Sequence, residues 1–197
     1  MLLNAGHLQD GYSKLKYGYR LDRKMINSFT GYSILDCVEE CLRTTRCKSV
    51  SYYKGANYCE INYENKTTAP DRYEQDTGWI YSEKEHWDKN ITGACMNANC
   101  LDNQKCNSLP FGKYECIPSD CGIPYVEGAD INSSDRWDAI GIRRQMHLKC
   151  YKEFKQTGSG ILSCPTSGIW TADLRCGTFQ IIFNVDANNT APVILSL

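Results

Sequence analysis

The sequence contains no CxxC pair, only three histidines (His7, His86 and His147), and no apolar run of the length a bilayer span requires. Zinc modules need paired Cys or Cys and His ligands at finger spacing, so these absences weigh against a metal-held fold, and no metal is expected. Charge of neither sign is in surplus: 22 Lys plus Arg stand against 23 Asp plus Glu, for a net charge of -1. With an isoelectric point near 6.3 and a mean hydropathy of -0.49, the chain has no global attraction for nucleic acid and no membrane span.

Catalytic signatures are also missing. There is no GxSxG or HExxH, and Gly158-Ser159-Gly160 lacks the strand, helix and lysine of a phosphate loop, reading instead as a hairpin turn before Ile161. His147 reads as an exposed strand residue rather than a general base. No enzyme activity and no cofactor are therefore expected. The opening Met1-Leu2-Leu3-Asn4-Ala5-Gly6-His7 turns polar after three residues and does not resemble a secretory leader, so the chain is expected to be an internal piece of a longer precursor.

What is abundant is cysteine: 12 in 197 residues, an even number, all between residues 37 and 176. Such a density of thiols persists as disulfides where the surroundings are oxidising, so an extracellular or secreted location is expected. The thiols fall in three runs of four, which divides the chain into units too small to be held by core burial alone. Four sequons, at Asn65, Asn90, Asn132 and Asn188, suit an exported glycoprotein.

In the first run, Ser33 followed three residues later by Asp36 is a helix start, and Ile34, Cys37, Val38, Cys41 and Leu42 then recur at helical spacing. After Cys47 the chain alternates through Ser49 to Tyr52, turns at Lys54 to Asn57, and alternates again to Tyr63, placing Cys59, Ile61 and Tyr63 on one side of a strand. A helix beside a hairpin favours Cys37 with Cys59 and Cys41 with Cys47 among the three pairings that four thiols allow. The strings GYRL at 18–21, DCVEECLRTTRCKSVSYY at 36–53, ANYCEIN at 56–62 and DTGWIYSEK at 76–84 resemble an apple (PAN) domain, lacking the outer cysteine pair that many such domains carry. The resemblance implies an extracellular module that binds protein or carbohydrate. Lys14, Lys16, Arg20, Arg23 and Lys24 form a basic segment that in apple-like domains can meet heparin-like glycans.

Residues 86–120 begin with a polar connection and continue as Cys95-x4-Cys100-x5-Cys106-x9-Cys116, closed by Gly112-Lys113-Tyr114-Glu115. This resembles the first two-thirds of an EGF-like module, which implies Cys95 with Cys106 and Cys100 with Cys116. Thr92-Gly93-Ala94 offers no acidic ligands before the first cysteine, so no calcium site is expected. Residues 121–176, with Cys121-Gly122-Ile123-Pro124, Cys150, Cys164, Gly168-Ile169-Trp170 and Cys176, resemble a sushi (complement control protein) module. That family implies Cys121 with Cys164 and Cys150 with Cys176; Leu174 stands where a proline usually precedes the last cysteine.

If residues 142–150 are extended, Met146, Leu148 and Cys150 face inward and Arg143, Gln145, His147 and Lys149 outward. Arg143, Arg144, His147 and Lys149 are then candidates for an anionic glycan, set apart from an acidic half at Glu127, Asp130, Asp135 and Asp138. Beyond Cys176, Phe179, Ile181, Phe183 and Val185 share a face, as do Val193, Leu195 and Leu197 after a turn. This tail, 177–197, is expected to begin a further domain.

The expected architecture is a multidomain, small disulfide-rich chain: an α+β apple-like domain over 1–85 followed by two small all-β modules. Its expected role is adhesion or recognition of an extracellular protein or glycan. A non-catalytic forepart of a secreted enzyme and a structural matrix spacer are the alternatives. Neither the ligand nor the oligomeric state is encoded in these patterns.

Overall fold

The computed structural model describes residues 14–178, together with the backbone of a short strand pair at Ile181–Ile182 and Val193–Ile194. The remaining tail residues, with the faces assigned to Phe179, Phe183, Val185, Leu195 and Leu197, and Asn188, lie outside the described residues. The protein is small, mostly β and disulfide-rich, with six bridges and a single α-helix among the described residues.

Five antiparallel strands build the first sheet: β1 (Lys16–Leu21), β2 (Met25–Thr30), β3 (Ser49–Tyr53), β4 (Tyr58–Asn62) and β5 (Tyr73–Glu83), in the order β1-β5-β3-β4-β2. Helix α1 (Ile34–Arg43) opens with Ser33 Oγ accepting from the Asp36 backbone N–H at 3.2 Å, while the Asp36 carboxylate accepts from the Ser33 N–H at 2.8 Å. These reciprocal bonds satisfy donors that a helix start leaves open. Cys37, Val38, Cys41 and Leu42 face inward at spacings of three and four and pack on Val50, Tyr52, Ile61 and Ile80 of the sheet. Cys37 is bonded to Cys59, tying the helix to β4, and Cys41 to Cys47 at the helix exit.

The sheet is buried on both faces, although strand alternation predicts polar residues in water. Cys59, Ile61 and Tyr63 lie under the helix, but Glu60 and Asn62 on the opposite face are also buried, as are Ser49, Ser51 and Arg20. Asn62 Nδ2 donates to the hydroxyls of Ser49 and Ser51, while Asn62 Oδ1 and Glu60 Oε1 are buried on this face without a hydrogen-bond partner among the described residues.

Residues 88–120 carry one hairpin, β6 (Gln104–Ser108) with β7 (Tyr114–Pro118), clamped by Cys95–Cys106 and Cys100–Cys116. It leans on α1: Lys105 Nζ lies 2.6 Å from Glu40 Oε1, and the Thr45 N–H donates to the Gln104 carbonyl at 3.1 Å. Where it hands over to the next segment, Asp120 is fully buried and pairs with Arg46 Nε at 2.7 Å.

The last segment contains β8 (Ala129–Asp130), β9 (Gln145–His147), β10 (Lys149–Cys150), β11 (Phe154–Ser163) and β12 (Thr171–Thr178). Strands β12, β11 and β9 form one sheet, and β10 pairs with β8. Cys121–Cys164 and Cys150–Cys176 bridge this segment, and Ile140, Met146, Leu148, Leu162 and Leu174 continue the buried cluster that begins under α1. Gly158 and Gly160 do not make a hairpin turn. They sit inside β11 at a bulge between Thr157 and Ile161, both at positive φ, where a Cβ would press into the carbonyl oxygens of Asp173 and Leu148.

Candidate functional site

The segment from Ser134 to Arg144 joins the third part of the chain to the edge of the first sheet. Ser134 O accepts from Arg23 Nη1 at 3.4 Å, the Ile140 N–H donates to the Met25 carbonyl at 3.1 Å, and the Gly141 N–H to the Ile26 carbonyl at 2.8 Å. Arg144 completes the clamp, with Nη1 donating to Ser28 Oγ at 3.3 Å and Nη2 to the Trp137 carbonyl at 3.2 Å. This fixed backbone holds Trp137 edge-on to Tyr58 of β4, ring centroids 6.4 Å apart, with Trp137 still 60% exposed.

Between Trp137 and the sheet lies a cleft of about 480 Å³ walled by Tyr53, Tyr58, Trp79 and Trp137, with Asp76 and Arg136 at its polar margins. Trp79 is the hub: Tyr53 leans on it at 5.5 Å, Tyr58 meets it edge-on at 6.1 Å, and the Arg20 guanidinium lies 4.6 Å from its ring centre. Tyr53 is seated by glycines. A Cβ on Gly78 would come within 2.7 Å of the Tyr53 ring and one on Gly55 within 3.0 Å, so the ring lies where only these residues leave room. Arg136 stacks over the Trp137 ring at 5.3 Å.

Below the cleft is a buried charge cluster. Arg20 is wholly inaccessible and faces Asp22 at 3.0 Å, Glu60 and Asp76 at 3.7 Å and Glu74 at 3.9 Å. It is therefore committed inward, and the basic N-terminal segment does not present it to an outside glycan. Burial pushes the Glu60 carboxyl up to about 7 against the pull of Arg20 and Arg136, and its Oε1 has no hydrogen-bond partner among the described residues.

On the other side of Trp137 a groove of about 590 Å³ is lined by Arg143, Arg144 and His147 of the expected anionic-glycan set. Lys149 is exposed but lies outside this groove, opposite Asp130 in the β8–β10 pair. Arg143 is not part of the strand. It stands in the turn before β9 at φ 64°, its N–H donating to the Cys164 carbonyl at 2.7 Å. The outward alternation of Gln145, His147 and Lys149 over buried Met146 and Leu148 is present. The separation of a basic stripe from an acidic half is not: His147 Nδ1 lies 2.8 Å from Asp138 Oδ1 and 3.9 Å from Asp135 Oδ2. Opposite charges are interleaved because the loop carrying the acids folds back over β9.

Asp135, Asp138 and His147 bring three ligand atoms within 4.8 Å of one another. Asp138 is already occupied, since its Oδ2 accepts from the backbone N–H groups of Asp135 and His147, both at 2.7 Å, and its Oδ1 is shared with the imidazole. Glu83, Glu85 and His86 form a second such group. Among the sequons, Asn90 and Asn132 are exposed and Asn65 is half-buried. Asn65 Oδ1 accepts from the Thr67 and Thr68 N–H groups.

The sequence patterns do not single out the cleft residues Tyr53, Tyr58, Asp76, Arg136 and Trp137 as a site. The available signal is a tryptophan set among charges in Asp135-Arg136-Trp137-Asp138, a residue type that polar loops seldom expose without cause.

Residues 13–87 match the family model described as PAN domain, so the first sheet with its helix is a PAN (apple) domain. Two curated relatives are similar to parts of the chain. The sushi, von Willebrand factor type A, EGF and pentraxin domain-containing protein 1 of Mus musculus is 26% identical over 104 residues, which is 48% of this chain and 3% of that protein. Its counterpart in Rattus norvegicus is 26% identical over 86 residues, 41% of this chain and 2% of that protein. The chain thus spans a very small part of these relatives. The disulfides and the PAN domain together point to an extracellular setting, and among the described residues no helix is long and apolar enough to cross a membrane.

Proposed function

We propose that this chain is a non-catalytic extracellular recognition protein in which the PAN domain, a truncated EGF-like module over 86–120 and a sushi module over 121–176 bind protein or glycan ligands through a joint surface. The reading is carried by the position of Trp137: an exposed ring on the third segment that closes a cleft whose other walls belong to the PAN sheet. Bridges within each segment and the buried Arg46–Asp120 pair between them limit the motion of those walls, so little ordering cost is left for binding. The likeness to mosaic proteins named for sushi and EGF domains supports the module assignment and the extracellular role.

The test is saturable binding to immobilised extracellular-matrix proteins and cell-surface glycans, with the oxidised and the fully reduced chain side by side. Binding by the oxidised chain that is lost on reduction is expected. A chain that binds none of these surfaces in saturable fashion is a spacer, and the reading fails.

A further inference from the structure

We propose that the cleft between β5 and the 134–138 loop is a binding site for a hexopyranose unit, taken between Tyr53 and Trp79 on one side and Trp137 on the other. The inference rests on the recognition reading and names its ligand class. At about 480 Å³ the cleft falls within the range of small-ligand sites, roughly 300 to 1,000 Å³.

The lining selects among ligand chemistries. The aromatic walls suit a ring with an apolar C–H face. The margins carry both signs and both hydrogen-bonding senses: the Asp76 carboxylate accepts, the Arg136 guanidinium donates, and the Thr30 and Thr77 side chains do either. A sugar ring presents hydroxyls that donate and accept around such a face, so one ligand satisfies every group. An aliphatic chain offers no hydrogen bond to Asp76, already paired with Arg20, or to Arg136; a polyanion meets Asp76, and a basic peptide meets Arg136. Arg136 Nε is buried at this margin without a hydrogen-bond partner among the described residues, a donor with unused capacity.

The site is also preformed. Gly55 and Gly78 leave the room that the Tyr53 ring occupies, the buried Arg20 guanidinium packs on the Trp79 ring at 4.6 Å, and Arg136 lies over Trp137. Orientation of three rings before the ligand arrives is what a weak, face-stacking ligand needs.

The experiment is isothermal titration and saturation-transfer NMR of the whole chain with methyl glycosides of glucose, galactose, mannose and N-acetylglucosamine. At least one glycoside is expected to bind, with saturation strongest at its ring C–H protons. Trp137→Ala should weaken it at least tenfold, and Trp137→Phe should restore most of the loss, with thermal unfolding unchanged in both because Trp137 is largely exposed. Glycoside binding undiminished in Trp137→Ala overturns the proposal. So does the absence of any glycoside response while the chain still binds an unglycosylated matrix protein, an outcome that leaves the recognition reading standing.

Discussion

The Gly141 N–H donates to the Ile26 carbonyl at 2.8 Å, and a Cβ built on Gly141 would run into that same oxygen. This approach, possible for glycine alone, sets the third segment against the β2 edge and so positions Trp137. Gly141→Ala is expected to force the strands apart, at about 1 to 3 kcal/mol as for other overpacked sites. Hydrogen exchange should report it, with protection of the Ile140 and Gly141 positions falling while the α1 amides are unchanged; unaltered protection at residue 140 contradicts this docking.

Asp120 is fully buried with Arg46 as its ion partner, and it also accepts from the Gly122 N–H at 2.8 Å and Ser119 Oγ at 2.7 Å. Removing the carboxylate strands three donors at the meeting point of the segments. Asp120→Ala should cost about 3 kcal/mol, the lower end for a broken buried pair because Arg46 keeps some access to water. Urea unfolding measures it; a change below about 1 kcal/mol would be the value of a surface pair and would deny Asp120 this role.

The Glu60 carboxyl is held at about 7 by burial, offset by Arg20 and Arg136 and reinforced by Asp22 and Asp76. Its folded value lies above the ordinary 4.5, so the folded state keeps a proton that the unfolded chain has released. This contribution to stability is complete below about pH 4.5 and is lost as pH rises through about 7. Glu60→Gln should therefore flatten the stability profile between about pH 5 and 7.5. Parallel profiles for the two proteins would remove Glu60 as the source.

The bridges should differ in worth. Cys121–Cys164 spans a sequence separation of 43 and Cys41–Cys47 one of 6. On the chain-entropy account, opening the first by paired serine substitution destabilises by about 2 kcal/mol more than opening the second. Calorimetry of the two double variants compares them directly, and equal losses would show native-state strain or residual structure to dominate.

In the groove beside Trp137, Arg143 has no ion pair among the described residues, whereas Arg144 is engaged with Ser28 and the Trp137 carbonyl. Retention on heparin should be weak and salt-sensitive, and reduced by Arg143→Ala more than by Lys149→Ala. Equal retention of parent and Arg143→Ala excludes this groove as an anion site.

Local signals carried much of the first unit. Ser33 and Asp36 announce the helix, and the spacing of Cys37, Cys41 and Cys59 places a helix on a strand, because capping and periodicity are properties of short stretches. Glu60 and Arg20 escape such reasoning. Alternation only turns Glu60 away from the face of Cys59 and Ile61, yet it is buried beside Arg20, two intervening strands away in the sheet, and near Arg136, more than seventy residues further along the chain. The same holds for Arg143, which strand periodicity carries one turn too far, and for Gly158 to Gly160, where a bulge and a hairpin share one glycine signature. The cleft is illegible for the same reason: Tyr53, Trp79 and Trp137 meet only after separate segments dock.

The central claim is that the PAN sheet and the third segment present one shared recognition surface. It is tested most directly by following the indole N–H signals of Trp79 and Trp137 by NMR during titration with a bound methyl glycoside. Both signals should move together with one dissociation constant, since the two rings wall the same cleft. Movement of one without the other, or of neither, would contradict the shared surface.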